Sequence, residues 1–211
     1  SMSHGENRNN KTVMQNGGAG KLNVIKTGPG TQVFGQGTFT YTGSTTVDQG
    51  ILRISLANGG GGTFNTSPII LAGSGTLDLD RALSVNAAVS GGGAGQVTVT
   101  GGGTSSVGGG NKSYTVDTVL SGNSTLLQTA ANSLSSASLH SIAGGSTLNT
   151  GNFAASVKAL TGAGTVNLNG AAAILTVSDG AGQNFTGAVT GAGGLTKSGA
   201  GTQELSGALS Y

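Results

Sequence analysis

Cysteine and tryptophan are absent from this 211-residue sequence, and proline occurs only twice. Without cysteine there is no disulfide framework, no thiol nucleophile and no thiolate metal site. Charge is almost as scarce. Asp, Glu, Lys and Arg make up 8% of the residues, against about 25% in an ordinary domain. The net charge of +2 is thinly spread, and four of the nine basic residues (Arg8, Lys11, Lys21 and Lys26) fall in the first 26 positions. A nucleic-acid surface needs a dense basic stripe or patch, and none is present. Five Phe and three Tyr supply too little aromatic area for a large globular core. No run approaches the 18 or so apolar residues of a membrane span. The polar start, Ser1 to Asn10, lacks the apolar centre of a signal peptide.

Glycine is what the sequence has in excess: 42 of 211 residues, where about 7% is usual. A composition so biased fits either a disordered tract or a repeat solenoid. Disorder combines low hydrophobicity with high charge or abundant proline. Here the apolar residues instead alternate with small polar ones. Thin stacked rungs, each burying a few Val, Leu and Ile, suit this composition better than a sphere.

One pattern recurs: an apolar residue, a Gly-containing turn of small residues, and a second apolar residue six positions on. It occurs at Leu71–Leu77, Leu120–Leu126, Ile142–Leu148, Leu160–Val166 and Val189–Leu195, with a longer copy at Val89–Val97. The mean spacing of the six starts is about 24 residues, within the range of solenoids and propellers. Short alternations follow the turns, as in Leu52-Arg-Ile54, Leu77-Asp-Leu79, Val97-Thr-Val99 and Val166-Asn-Leu168. Period two means a strand with one buried face. The inward column is expected to be Leu52, Ile54, Leu77, Leu79, Val97, Val99, Leu126, Leu148, Val166 and Leu168. The segment Ala130–Ile142 is expected to be a strand-and-loop excursion, or at most one short helix. The fold class expected is all-β: a parallel β-helix of roughly eight rungs. Residues 1–12 are expected to be a disordered polar tail, with Ser1-Met2 left from cloning. Residues 13–211 form a single solenoid.

The chemistry-bearing residues are few. Asp78 and Asp80 project from one face of a strand about 7 Å apart, within the separation of a glycosidase acid pair. A shift of 25 residues per rung places Arg53 beside Asp78, so the same residues read as a solvated cross-strand ion pair worth under about 1 kcal/mol. That second reading is preferred for the cluster Arg53, Asp78 and Asp80. His4 lies in the tail, and His140 sits in a Ser/Leu-rich stretch with no carboxylate neighbour in sequence. No Gly-rich turn carries the Asp of a calcium-binding repeat. Phosphate-loop spacing and a nucleophile elbow are also missing. The expectation is therefore no catalytic residue, no metal and no cofactor, and a protein that is not an enzyme. Function is expected on excursions held by the scaffold: the intervals 89–120 and 160–189, the loop from Ala57 to Pro68, and a mobile 101–114.

Two segments repeat more closely. Lys26-Thr-Gly28-Pro-Gly30-Thr-Gln32 returns as Lys197-Ser-Gly199-Ala-Gly201-Thr-Gln203. The first runs on through Tyr41-Thr-Gly43, and the second is preceded by Gly191-Ala-Gly193-Gly-Leu195. These stretches resemble the passenger-associated transport repeats of type V autotransporters, departing at Gln32, Gln203 and Ala208. The resemblance covers about 20–55 and 160–211. It implies a right-handed β-helix exported through a C-terminal outer-membrane barrel, as part of a longer passenger. It also implies display on the bacterial surface or release. The partner would then be a host-cell receptor, extracellular matrix or another copy of the chain. Two alternatives stand beside this binding role: a polysaccharide-active β-helix, and a folding module assisting export.

Overall fold

The computed structural model describes residues 12–35, 37–55, 67–81, 85–109, 111–179 and 182–211. The polar tail through Lys11, His4 and most of the loop between Ala57 and Pro68 lie outside the described residues. Within them there is no helix, and every strand pairing is parallel. The chain is a β-solenoid, as the repeat requires.

Its longest wall is a nine-stranded sheet running from Thr31–Phe34, through Ile51–Ser55, Thr76–Asp80, Gln96–Thr100, Asp117–Leu120, Leu139–Ile142, Ala159–Gly162 and Gln183–Phe185, to Gln203–Leu205. A six-stranded wall stacks Thr104–Val107, Thr125–Gln128, Thr147–Asn149, Thr165–Leu168, Ala188–Gly191 and Leu209–Ser210. The third wall comes in two pieces. Val24–Lys26, Thr45–Val47, Ile69–Leu71 and Val89–Gly91 form the first, and Ala155–Val157, Ile174–Val177 and Gly194–Lys197 the second. A two-stranded pair, Thr12–Met14 with Gly37–Phe39, stands apart.

Successive register steps along the long wall are 20, 25, 20, 21, 22, 20, 23 and 20 residues. Their mean is about 21, shorter than the 24 inferred from the turn motif. The reason lies in the corners. Leu71–Leu77 and Val89–Val97 turn from the third wall to the long wall, while Leu120–Leu126, Ile142–Leu148 and Leu160–Val166 turn from the long wall to the six-stranded one. Val189–Leu195 turns from the six-stranded wall to the third. The motif is a generic corner used at three places, so its spacing does not measure one rung.

Every member of the expected inward column is buried. The pleat fixes which residues those are: Leu52–Leu77–Val97 and Ile54–Leu79–Val99–Leu120–Ile142 run rung over rung on the long wall, and Leu126–Leu148–Val166–Val189 on the six-stranded wall. Such a core removes apolar area from water at about 25 cal/mol per Å², without any large aromatic cluster. Ala130–Ser138 is turn and bend followed by the strand Leu139–Ile142, an excursion without a helix. The segment 101–114 is not the mobile insertion expected. It holds the strand Thr104–Val107 of the six-stranded wall and buries Lys112 and Tyr114.

Candidate functional sites

The outward ladder of the long wall carries the acidic pair. Val33, Arg53, Asp78 and Thr98 are consecutive register partners, as are Ser55, Asp80 and Thr100. Arg53 does lie beside Asp78, its Nε 2.7 Å from Asp78 Oδ2. Asp78, however, is not a solvated edge residue: it is 2% exposed. Thr98 and Thr100 donate to its Oδ1 at 2.9 and 2.8 Å, and β-branched neighbours on the adjoining rung cover it. Both carboxylate oxygens are thus taken by donors. Asp80 accepts from Ser55 at 3.1 Å and from Arg81 Nε at 3.4 Å. The expected ion pair is there, but its Asp78 carboxylate is covered and tied by further hydrogen bonds, while the Arg53 side chain stays 39% exposed.

The interior holds polar groups that no sequence motif singled out. Tyr41 is fully buried; its hydroxyl meets Thr45, and its carbonyl accepts from Ser67. Burial pushes its phenol up. Seventy-odd residues later the arrangement returns: the Tyr114 hydroxyl lies 3.0 Å from that of Thr118, and the Tyr114 carbonyl accepts from Ser135. Burial raises the Tyr114 phenol to about 12. The Tyr-x-x-x-Thr spacing shared by the two clusters was the available signal. Lys112, 5% exposed, donates to the carbonyls of Ala87 at 2.8 Å and Gly108 at 3.2 Å. Burial lowers its ammonium to about 8. It borders an almost wholly apolar void lined by Leu77, Leu79, Val107, Tyr114 and Leu126, with room for about one water.

The repeat residues occupy corners. Gly43 faces the carbonyl of Leu22, where a Cβ would stand 2.1 Å from the oxygen, and a Cβ on Gly50 would stand 2.4 and 2.5 Å from the carbonyl oxygens of Gly28 and Gly30. Gly191 and Gly199, both at positive φ, pack against the carbonyls of Leu168 and Ser178, and Gly193 against that of Ala173. Gly201 lies in the bend between Lys197 and Gln203. Leu195 continues the column Ala155–Leu175, and Tyr41 supplies the buried aromatic just described.

The two repeat lysines share a device. Lys26 stands in register with Val47, and Lys197 with Val177, each on the last strand of its piece of the third wall. Where the apolar column runs out, the side chain curls over the next turn. Lys26 Nζ donates to the carbonyls of Thr27, Gly28 and Gln49 at 2.9, 2.7 and 2.9 Å. Lys197 Nζ donates to those of Ser198 and Gly199. The lysines cap wall ends by satisfying corner carbonyls with a charged donor.

Gln203, a departure from the family pattern, has a local cause. The strands Ala159–Gly162 and Gln183–Phe185 are joined at one pair, Gly162–Phe185, leaving the ladder open at Leu160. The Gln203 amide fills the gap like a peptide unit. Its Oε1 accepts from Leu160 N at 2.8 Å, and its Nε2 donates to Leu160 O at 2.9 Å and to Gln183 O at 3.1 Å. Gln32, at the equivalent repeat position, is exposed and bonds only the carbonyl of Val33. Gln203→Ala is therefore expected to cost about 1–3 kcal/mol by stranding the Leu160 amide and carbonyl. Gln32→Ala should cost under about 0.5 kcal/mol. Urea unfolding of the two variants checks the difference; equal effects would contradict the assigned role.

Comparison with known proteins gives a family match for the passenger-associated-transport-repeat at residues 24–54 and 195–211. No curated protein and no solved structure gave a match. The matched segments contain the two lysine-capped ends of the third wall, and among the described residues between them every strand pairing is parallel. The chain is a β-solenoid that carries passenger-associated transport repeats at both of these segments.

Proposed function

We propose that this passenger acts by binding, displayed at the bacterial surface or released from it, and that its partner is a host-cell receptor, matrix protein or second copy of the chain. The observation that carries this reading is the state of Asp78. A glycosidase pair needs one carboxyl free to give up a proton and another free to attack or to activate water. Both oxygens of Asp78 already accept hydrogen bonds from its own wall, beneath covering side chains. What remains on the outside is a rigid, sparsely charged surface with loops held at its corners, the setting in which binding residues gather.

The test sets the two activities side by side. The purified chain is incubated with cultured cells, with immobilised matrix and with a panel of polysaccharides. Saturable cell or matrix binding, unchanged in Asp78→Asn, is the expected result. Release of reducing ends that disappears in Asp78→Asn would replace the binding reading with the polysaccharide-active one.

A second role, assistance to passenger folding during export, is favoured by the C-terminal repeat. Lys197 and Gln203 tie the last turns to Ser198, Gly199, Gln183 and Leu160. Deleting 185–211 from the full passenger should then reduce surface display while leaving binding by the displayed molecules intact. Undiminished display would refute it.

A further inference from the structure

Among the described residues the third wall has no strand for two turns. It ends at the bridge between Val89 and Lys112 and restarts at Ala155–Val157. In those same turns the inward column Leu52–Leu77–Val97 changes character. It continues as Thr118 and His140 before returning to Leu160. Two buried side-chain atoms without a hydrogen-bond partner, His140 Nε2 and Gln128 Oε1, both fall here.

His140 is 0% exposed. Its Nδ1 lies 3.1 Å from the carbonyl of Ser138, which assigns the proton of the neutral ring to Nδ1. The neighbouring strand Asp117–Leu120 offers Thr118, whose hydroxyl is engaged with Tyr114 and Ser138. The following strand offers Leu160. The titratable groups on these elements give it no counter-charge. Asp117 is on the exposed side of its strand, Tyr114 is neutral, and Lys158, before the Ala159 strand, is itself a cation. A proton added to Nε2 would sit in the core with no acceptor and no anion.

We propose that His140 is an acid-release point: its protonation opens the central turns, roughly 112–155, while the end turns stay folded. A solenoid allows this because each rung contacts only its neighbours, so a weak stretch opens without unravelling the rest. Burial lowers the His140 imidazole to about 4, while an opened turn titrates near 6.5. For a base depressed in the closed state, the neutral ring's contribution is intact above about pH 6.5 and is lost progressively down to about pH 4. Over the step from about pH 7 to about pH 5 the opening equilibrium rises roughly twentyfold.

Hydrogen exchange read by mass spectrometry, corrected for the intrinsic pH dependence of exchange, measures this at about pH 7 and about pH 5. Peptides within 113–142 should lose protection roughly twentyfold, those within 188–210 should not change, and His140→Leu should abolish the response. A uniform loss along the chain, no loss, or an undiminished response in His140→Leu overturns the proposal. Should the Leu variant fail to fold, an NMR titration decides the matter. With His4→Gln removing the other ring, the His140 signal should titrate below about pH 5; titration at or above about pH 6 overturns it.

Discussion

Gly187→Ala is expected to destabilise the chain by about 3 kcal/mol, whereas Gly144→Ala leaves stability unchanged or raises it by up to about 1 kcal/mol. Both are corner glycines with ordinary backbone angles, so intrinsic conformational preference does not separate them. Their surroundings do. By register, Gly164, Gly187 and Gly207 stack on consecutive turns just before the strands of the six-stranded wall. A Cβ on Gly187 would lie 1.9 Å from the carbonyl oxygen of Gly164 and 2.7 Å from Cζ of Phe185, and one on Gly207 would lie 1.9 Å from the oxygen of Gly187. The obstacle is backbone, which cannot swing aside as a side chain can. The turns must separate, and parallel strands paired at about 4.8 Å cannot separate without losing ladder hydrogen bonds. At Gly144 nothing lies within 4 Å of the added carbon. Urea melts of the two variants, followed by circular dichroism, test the contrast; similar midpoints would show that rung spacing does not depend on the glycine stack.

Raising the pH from about 8 to about 10 should stabilise the folded chain by about 2 kcal/mol through Lys112. The sign follows from the direction of its shift. Below about pH 8 the folded and unfolded chains both carry the ammonium, and the folded chain bears the cost of burying it among Leu77, Tyr114 and the void beside them. Between about 8 and 10.5 the folded chain has shed a proton that the unfolded chain still holds. Unfolding then takes up a proton and becomes harder as pH rises. Above about pH 10 the buried phenol of Tyr114, raised to about 12, reverses the trend, because the unfolded chain loses that proton first. Lys112→Met should flatten the rise. A rise that persists in Lys112→Met would assign the effect to another group.

The strand pattern, the Gly corners and the inward Leu/Val column were legible in the sequence because each follows from local rules. Side chains alternate across a pleat, and a tight corner needs a residue without a Cβ. The repeat lysines and glycines were also visible as motif. What they do was not, since capping corner carbonyls depends on where a wall ends. The rung length was misread from the motif for the same reason: a corner looks alike in sequence whichever two walls it joins.

Burial of polar residues was decided by stacking alone. Arg53 and Asp78 are 25 positions apart, and their pairing could be anticipated from the register. The covering of Asp78 could not, because it is Thr98 and Thr100 of the next turn that close over it. His140 and Lys112 have unremarkable sequence surroundings. They became buried titratable groups only when their turns took the inward register of Val97 and Val89. Sequence by itself determined the period-two strands, the glycine corners and the parallel stack they imply. The tertiary structure decided which polar groups lost their water, because desolvation depends on the neighbouring turn, some 20 residues away along the chain.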